Sequence, residues 1–95
     1  MHIGELQQVI RQRDYKPELA KDYFLKLVEE VGELSEVIRR GKTYKNGQAD
    51  TIKGTIDEEL YDILYYTLAL ANVYGIDMEQ AILLKEGINQ TRRDH

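Results

Sequence analysis

A single proline, Pro17, interrupts 95 residues. Proline inside a helix removes a hydrogen bond and clashes with the preceding turn, so its near-absence leaves long stretches through which a helix runs unbroken. Apolar residues along those stretches recur every three or four positions and never alternate over a strand's length. The spacing predicts four helices, over about 3–13, 18–40, 55–74 and 78–92, and hence an all-α, four-helix bundle-like fold. The expected inner stripes are Ile3, Leu6, Val9 and Ile10 on the first helix, and Phe24, Leu27, Val31, Leu34 and Ile38 on the second. On the third they are Ile56, Leu60, Ile63, Leu64, Thr67, Leu68 and Ala71.

Pro17 suits the opening turn of the second helix, and Gly41, after the basic pair Arg39-Arg40, suits its end. Residues 41–54 form a polar connection with a turn signal at Asn46-Gly47, long enough to be mobile or functional. Thr55 followed by Glu58 is a capping box for the third helix. Gly75 ends that helix, and Asp77 caps the fourth.

A chain of this length makes one domain, 1–95, with a core small enough that self-association would help it. Apolar residues at 42% and charged ones at 32% fit a soluble globular chain. No run approaches a membrane span, and there is no signal-peptide pattern. Cysteine is absent, which excludes a disulfide framework and a thiolate metal site and leaves the cytoplasm as the expected location. A net charge of −4 argues against a nucleic-acid polymer as partner. A nucleotide carried with a metal ion is compatible with it, because the ion reverses the local sign.

The acidic charge is unevenly placed. Between Lys53 and Lys85 there is no Lys or Arg, yet the stretch holds Asp57, Glu58, Glu59, Asp62, Asp77 and Glu79. Helices two and three each read Glu-Glu-x-x-acid, at Glu29-Glu30 with Glu33 and at Glu58-Glu59 with Asp62. At about 100° per residue, Glu30 and Glu59 flank their apolar stripes, and Glu33 and Asp62 follow one turn on. If the two helices pack antiparallel, the matching flanks emerge on one side and four carboxylates converge. Such a cluster needs cations. Oxygen-only ligands select hard ions, magnesium or manganese, over zinc.

Each motif also has a plainer explanation. An isolated pair of glutamates on a helix is usually a solvated face with i,i+4 partners. Lys26 is available to Glu30 and Arg40 to Glu36, but Glu59 and Asp62 have no basic residue at i±3 or i±4. Glu58 is accounted for by the capping box, and Glu29 faces away from the stripe. The inner face of helix four begins with Met78, Ala81 and Ile82 and continues as Lys85, Asn89 and Arg92. Those three are either a frayed terminal turn with cations suited to its dipole or donors aimed at an anionic substrate.

The three motifs together resemble the MazG-type nucleotide pyrophosphohydrolases of the all-α NTP pyrophosphatase superfamily. The resemblance implies a magnesium-dependent enzyme, with manganese as possible substitute, that cleaves a nucleoside triphosphate between its α- and β-phosphates. It implies Glu30, Glu33, Glu59 and Asp62 as metal ligands and Glu29 as the residue that positions or deprotonates water. It further implies Lys85, Asn89 and Arg92 as phosphate-side residues, often supplied across a subunit interface, and Tyr66 against the base or sugar. Relatives selective for modified pyrimidines carry an aromatic where this chain has Arg40, which leaves base preference open. A homo-oligomer, a tetramer rather than a dimer, is expected. The competing class is a non-enzymatic helical module that binds nucleotides or proteins.

Overall fold

The computed structural model describes residues 1–45 and 49–93, the last without its side chain. Helix α1 spans Ile3–Arg13, a 3-10 turn spans Pro17–Leu19, α2 spans Ala20–Arg40, α3 spans Ile56–Val73 and α4 spans Met78–Arg93. The expected helices are therefore present, with one local difference. Pro17 opens a 3-10 turn, and the α-helix proper starts at Ala20, two residues later than the spacing predicts. Among the described residues there is no strand, and no helix is long and apolar enough to cross a membrane. The Asn46-Gly47 turn signal lies outside the described residues.

The ends behave as local chemistry requires. Gly41 takes φ 68°, and its N–H donates to the carbonyls of Val37 and Ile38, both at 3.0 Å. That left-handed conformation is strained for any residue with a Cβ. The Thr55 hydroxyl oxygen accepts from the Glu58 N–H at 3.2 Å, closing half of the capping box. The other half is shifted by one residue: the Glu58 carboxylate accepts from the N–H of Gly54 at 2.8 Å. Asp77 Oδ1 accepts from the Glu79 and Gln80 N–H groups at 3.0 and 3.2 Å, the expected cap of α4.

Helices α2 and α3 form the main antiparallel pair. The Ile56 N–H donates to the Lys42 carbonyl at 3.0 Å, setting the start of α3 against the end of α2. Helix α1 crosses the far end of this pair, and Ile10, Tyr23, Leu68 and Ala69 form the buried centre. The inward face of α2 is rotated from the expected stripe. Tyr23 and Val37 are buried, whereas Phe24, Val31 and Ile38 are exposed, as is Leu60 on α3. Helix α2 is apolar on two faces, and a single chain of this size has partners for only one of them.

Helix α4 leaves the α2–α3 pair and packs chiefly against α1. The turn that redirects it is pinned by buried amides. Gln7 Nε2 donates to Asn72 Oδ1 at 3.1 Å and to the Ile76 carbonyl at 2.7 Å, and Gln7 Oε1 accepts from the Met78 N–H at 3.1 Å. Asn72 Nδ2 returns a bond to the Gln7 carbonyl at 3.1 Å. Each satisfied buried bond contributes about 0.5–1.5 kcal/mol, and an orphaned one costs more. Glu79 accepts from the Gly4 N–H at 3.2 Å, placing an anion at the positive end of α1. The chain's radius of gyration is 15.7 Å, against about 12 Å for a compact domain of this length.

Candidate metal and nucleotide site

Antiparallel packing brings the two acidic motifs together, and Glu59 is their meeting point. Carboxylate oxygens of Glu30, Glu33 and Glu59 lie within 4.8 Å of one another, and so do those of Glu58, Glu59 and Asp62. Glu58 thus joins the cluster as well as capping the helix. Sequence reasoning assigned it the cap alone because one residue was given one task.

Glu59 is only 6% exposed, and its Oε2 is buried with no hydrogen-bond partner among the described residues. Burial raises its pKa to about 7, with the adjacent Glu30 carboxyl, then Glu33 and Asp62, adding to the shift. Burial, followed by Glu30, Glu58 and Glu33, raises that of Asp62. These are the signs of crowded carboxylates, and among the described residues no Lys or Arg forms an ion pair with Glu30, Glu33, Glu59 or Asp62. An orphaned carboxylate oxygen among three others is what a hard divalent cation binds, so the donor set fits magnesium or manganese.

The surrounding pairs differ from those read off the sequence. Lys26 pairs with Glu29 at 3.6 Å, not with Glu30, and Arg39 rather than Arg40 pairs with Glu36, at 3.3 Å. Both are exposed i,i+3 pairs and contribute little to stability. Glu29 is exposed and outside the oxygen cluster, as its position on the helix requires.

A cavity of about 360 Å³ opens beside the carboxylates, lined by Arg13, Asp14, Glu30, Tyr61, Asp62, Tyr65 and Tyr66. Tyr66 is half-buried, lies edge-to-face with Tyr65 at 5.1 Å between ring centres, and has its pKa raised chiefly by burial. Its ring packs against Tyr65 and also walls the cavity. The α1–α2 corner, which sequence reasoning left out, supplies the opposite wall. Asp14 accepts from the Tyr23 hydroxyl at 2.8 Å through Oδ1 and from the Tyr65 hydroxyl at 2.9 Å through Oδ2. Burial and these bonds push both phenols up to about 12. One signal was available: an aspartate just beyond a helix C-terminus is electrostatically unfavourable and calls for a tertiary partner.

The basic stripe is not brought to this cavity within one chain. Lys85 and Arg92 are exposed on α4, Asn89 donates to Glu86 at 3.2 Å, and none of the three lines the cavity. The continuous inner face expected of α4 gives way because the Gln7–Asn72 clamp turns the helix towards α1. Another cavity, also about 360 Å³, lies at that seam among Gly4, Gln7, Arg11, Asn72 and Glu79, away from the acidic cluster.

A helical pair carrying Glu-Glu-x-x-acid on both members, with its carboxylates converged, places this chain among all-α proteins with a carboxylate-only donor set for divalent cations. Residues 18–92 match the family model of the MazG nucleotide pyrophosphohydrolase domain, and the chain belongs to that family. It is 36% identical over 75 residues to dCTP pyrophosphatase 1 of Homo sapiens and 37% identical to that of Mus musculus. Those matches span 76% of this chain but 44% of the relatives' length. Among solved structures it is similar to iMazG from Vibrio DAT 722. One structure, of the C-terminally tagged protein, gives a TM-score of 0.84 at 49% identity, covering 95% of this chain and 99% of that one. A second gives 0.85 at 48% identity, with 97% of each covered.

Proposed function

We propose that this chain is a magnesium-dependent nucleoside triphosphate pyrophosphohydrolase that cleaves between the α- and β-phosphates, giving a monophosphate and pyrophosphate. The observation that carries the reading is the buried, unpartnered Glu59 carboxylate oxygen among Glu30, Glu33 and Asp62. Those four residues would hold the ions, with Glu58 as a fifth oxygen donor; manganese is the expected substitute. Bound divalent ions supply charge neutralisation on phosphate oxygens and a bound water of lowered pKa. Glu29, beside Glu30 on α2, is assigned to orient or deprotonate the attacking water, a role for which Lys26 must release it. Tyr66 walls the space for sugar or base. The name of the curated relatives makes dCTP the first nucleotide to try. The cytoplasm is the location this reading assigns.

Lys85, Asn89 and Arg92 are assigned to the departing pyrophosphate, supplied to another copy's carboxylates because α4 points away from its own. This requires a homo-oligomer, a tetramer of paired dimers on our reading. Phe24, Leu25, Val28 and Val31 of α2 are exposed, as are Leu83 and Leu84 of α4, at 71% and 65%. Apolar surface on two helices of an extended chain is more than a soluble monomer keeps. Sedimentation equilibrium at micromolar concentration is expected to give a tetramer. A stable and fully active monomer would overturn the assignment of α4.

Hydrolysis in oxygen-18 water tests the bond that breaks. Attack at the α-phosphorus is expected to leave the label in the monophosphate, with unlabelled pyrophosphate and no diphosphate. Labelled orthophosphate with accumulating nucleoside diphosphate would refute it. The alternative of a binding module without turnover predicts nucleotide affinity but less than one equivalent of pyrophosphate per chain.

A further inference from the structure

The α1 C-terminus carries two arginines, and they differ in what they face. The Arg11 guanidinium lies 3.9 Å from the centre of the Tyr15 ring and is engaged there. Arg13 lines the cavity shared with Glu30, Asp62 and Tyr66, is exposed, and forms no ion pair among the described residues. Its neighbour Asp14 is the carboxylate held by both Tyr23 and Tyr65. The backbone is tied at the same place, because the Lys16 N–H donates to the Tyr23 hydroxyl at 3.1 Å. The corner that presents Arg13 is therefore fixed to α2 and α3, the helices that bear the acidic motifs.

A helix C-terminus accepts an arginine for its dipole alone. That explanation covers Arg11 and Arg13 equally and does not account for the corner being clamped over the carboxylates. Among the described residues, Arg13 is the one cation lining a cavity whose other charged groups, Asp14, Glu30 and Asp62, are all acidic. Guanidinium is a strong, bidentate donor to phosphate oxygens. The cavity runs from the carboxylates to Tyr66, so the substrate group lying between ion and nucleoside is the phosphate that joins them.

We propose that Arg13 contacts the α-phosphate, the one attached to the nucleoside and attacked by water, and that Asp14 is the positioning residue that aims it. The inference rests on the reading of the chain as a pyrophosphohydrolase. It divides the cations by role: Arg13 of the same chain serves the nucleoside monophosphate half, and Lys85 of α4 serves the pyrophosphate half.

Product binding separates the two halves. The probes are the deoxynucleoside monophosphate of the best-hydrolysed DNA nucleotide, its parent deoxynucleoside, and inorganic pyrophosphate, each titrated calorimetrically with magnesium present. Arg13→Gln is expected to weaken the monophosphate at least tenfold, leave the deoxynucleoside and pyrophosphate unchanged, and lower kcat more than it raises KM. Lys85→Ala is expected to show the reverse preference, and Arg13→Lys to recover part of the loss. Tyr65→Phe, which removes one bond to Asp14, is expected to lower kcat and weaken the monophosphate while leaving pyrophosphate binding unchanged, at a temperature where the variant is fully folded. Equal weakening of monophosphate and deoxynucleoside would overturn the α-phosphate contact, as would an Arg13→Gln enzyme with unaltered monophosphate binding. A wild-type protein that releases pyrophosphate from none of the four deoxynucleoside triphosphates of DNA, with magnesium present, would instead remove the parent reading, and this one with it.

Discussion

Replacing Glu59 by Gln is expected to reduce pyrophosphate release by more than about 100-fold while raising the melting temperature of the metal-free protein. The two effects have one cause. Glu59 is buried, faces Glu30, Glu33 and Asp62, and has its pKa raised to about 7. An amide of the same shape removes the repulsion, and its N–H₂ gives neighbouring carboxylates a donor at every pH, whereas the Glu59 carboxyl offers one only while it is protonated. It also removes the shared carboxylate through which the two triads of oxygens meet. Activity comes from a pyrophosphate-release assay, stability from a thermal melt in chelator. An active variant would refute the site, and a variant destabilised in chelator would refute the crowding.

Magnesium is expected to produce the largest shift in stability. An ion present at 100 times its dissociation constant stabilises by about 2.7 kcal/mol, or roughly 10–20 °C in Tm for a domain of this size. Asp62→Asn is expected to lose most of that gain. In chelator the sign with pH is the opposite of the usual carboxylate case. The native Glu59 holds its proton up to about pH 7, and the unfolded one releases it near 4.5. The native state therefore binds more protons between those values, so stability falls as pH rises through that window and then levels. Added magnesium should reverse the trend, since the ion favours the deprotonated ligands. Identical melting curves with magnesium and with chelator, at matched ionic strength, would count against the whole cluster.

Period and punctuation in the sequence determined the helices, because caps such as Thr55 and Asp77 and stops such as Gly41 act within one turn of chain. The same local rule located four metal-ligand candidates, since i,i+3 carboxylates on a helix are neighbours whatever the rest of the chain does. The presence of each acidic pair was thus legible from residues alone. Their union at Glu59 depended on α2 and α3 being antiparallel.

What the sequence left open were choices between faces and directions that local chemistry makes equally well. Helix α2 has two apolar faces, and only packing showed that Tyr23 and Val37 turn inward while Phe24, Val31 and Ile38 stay outside. Helix α4 was read as continuing the bundle, but amide bonds from Gln7, 65 residues from Asn72, turn it to α1 and carry its basic stripe away. The same long-range bonding set Asp14 between Tyr23 and Tyr65 and put Arg13 at the cavity. Periodicity reports the environment of a residue on its own helix. Which other helix answers it is decided by contacts between distant parts of the chain, and those exist only once the chain has folded.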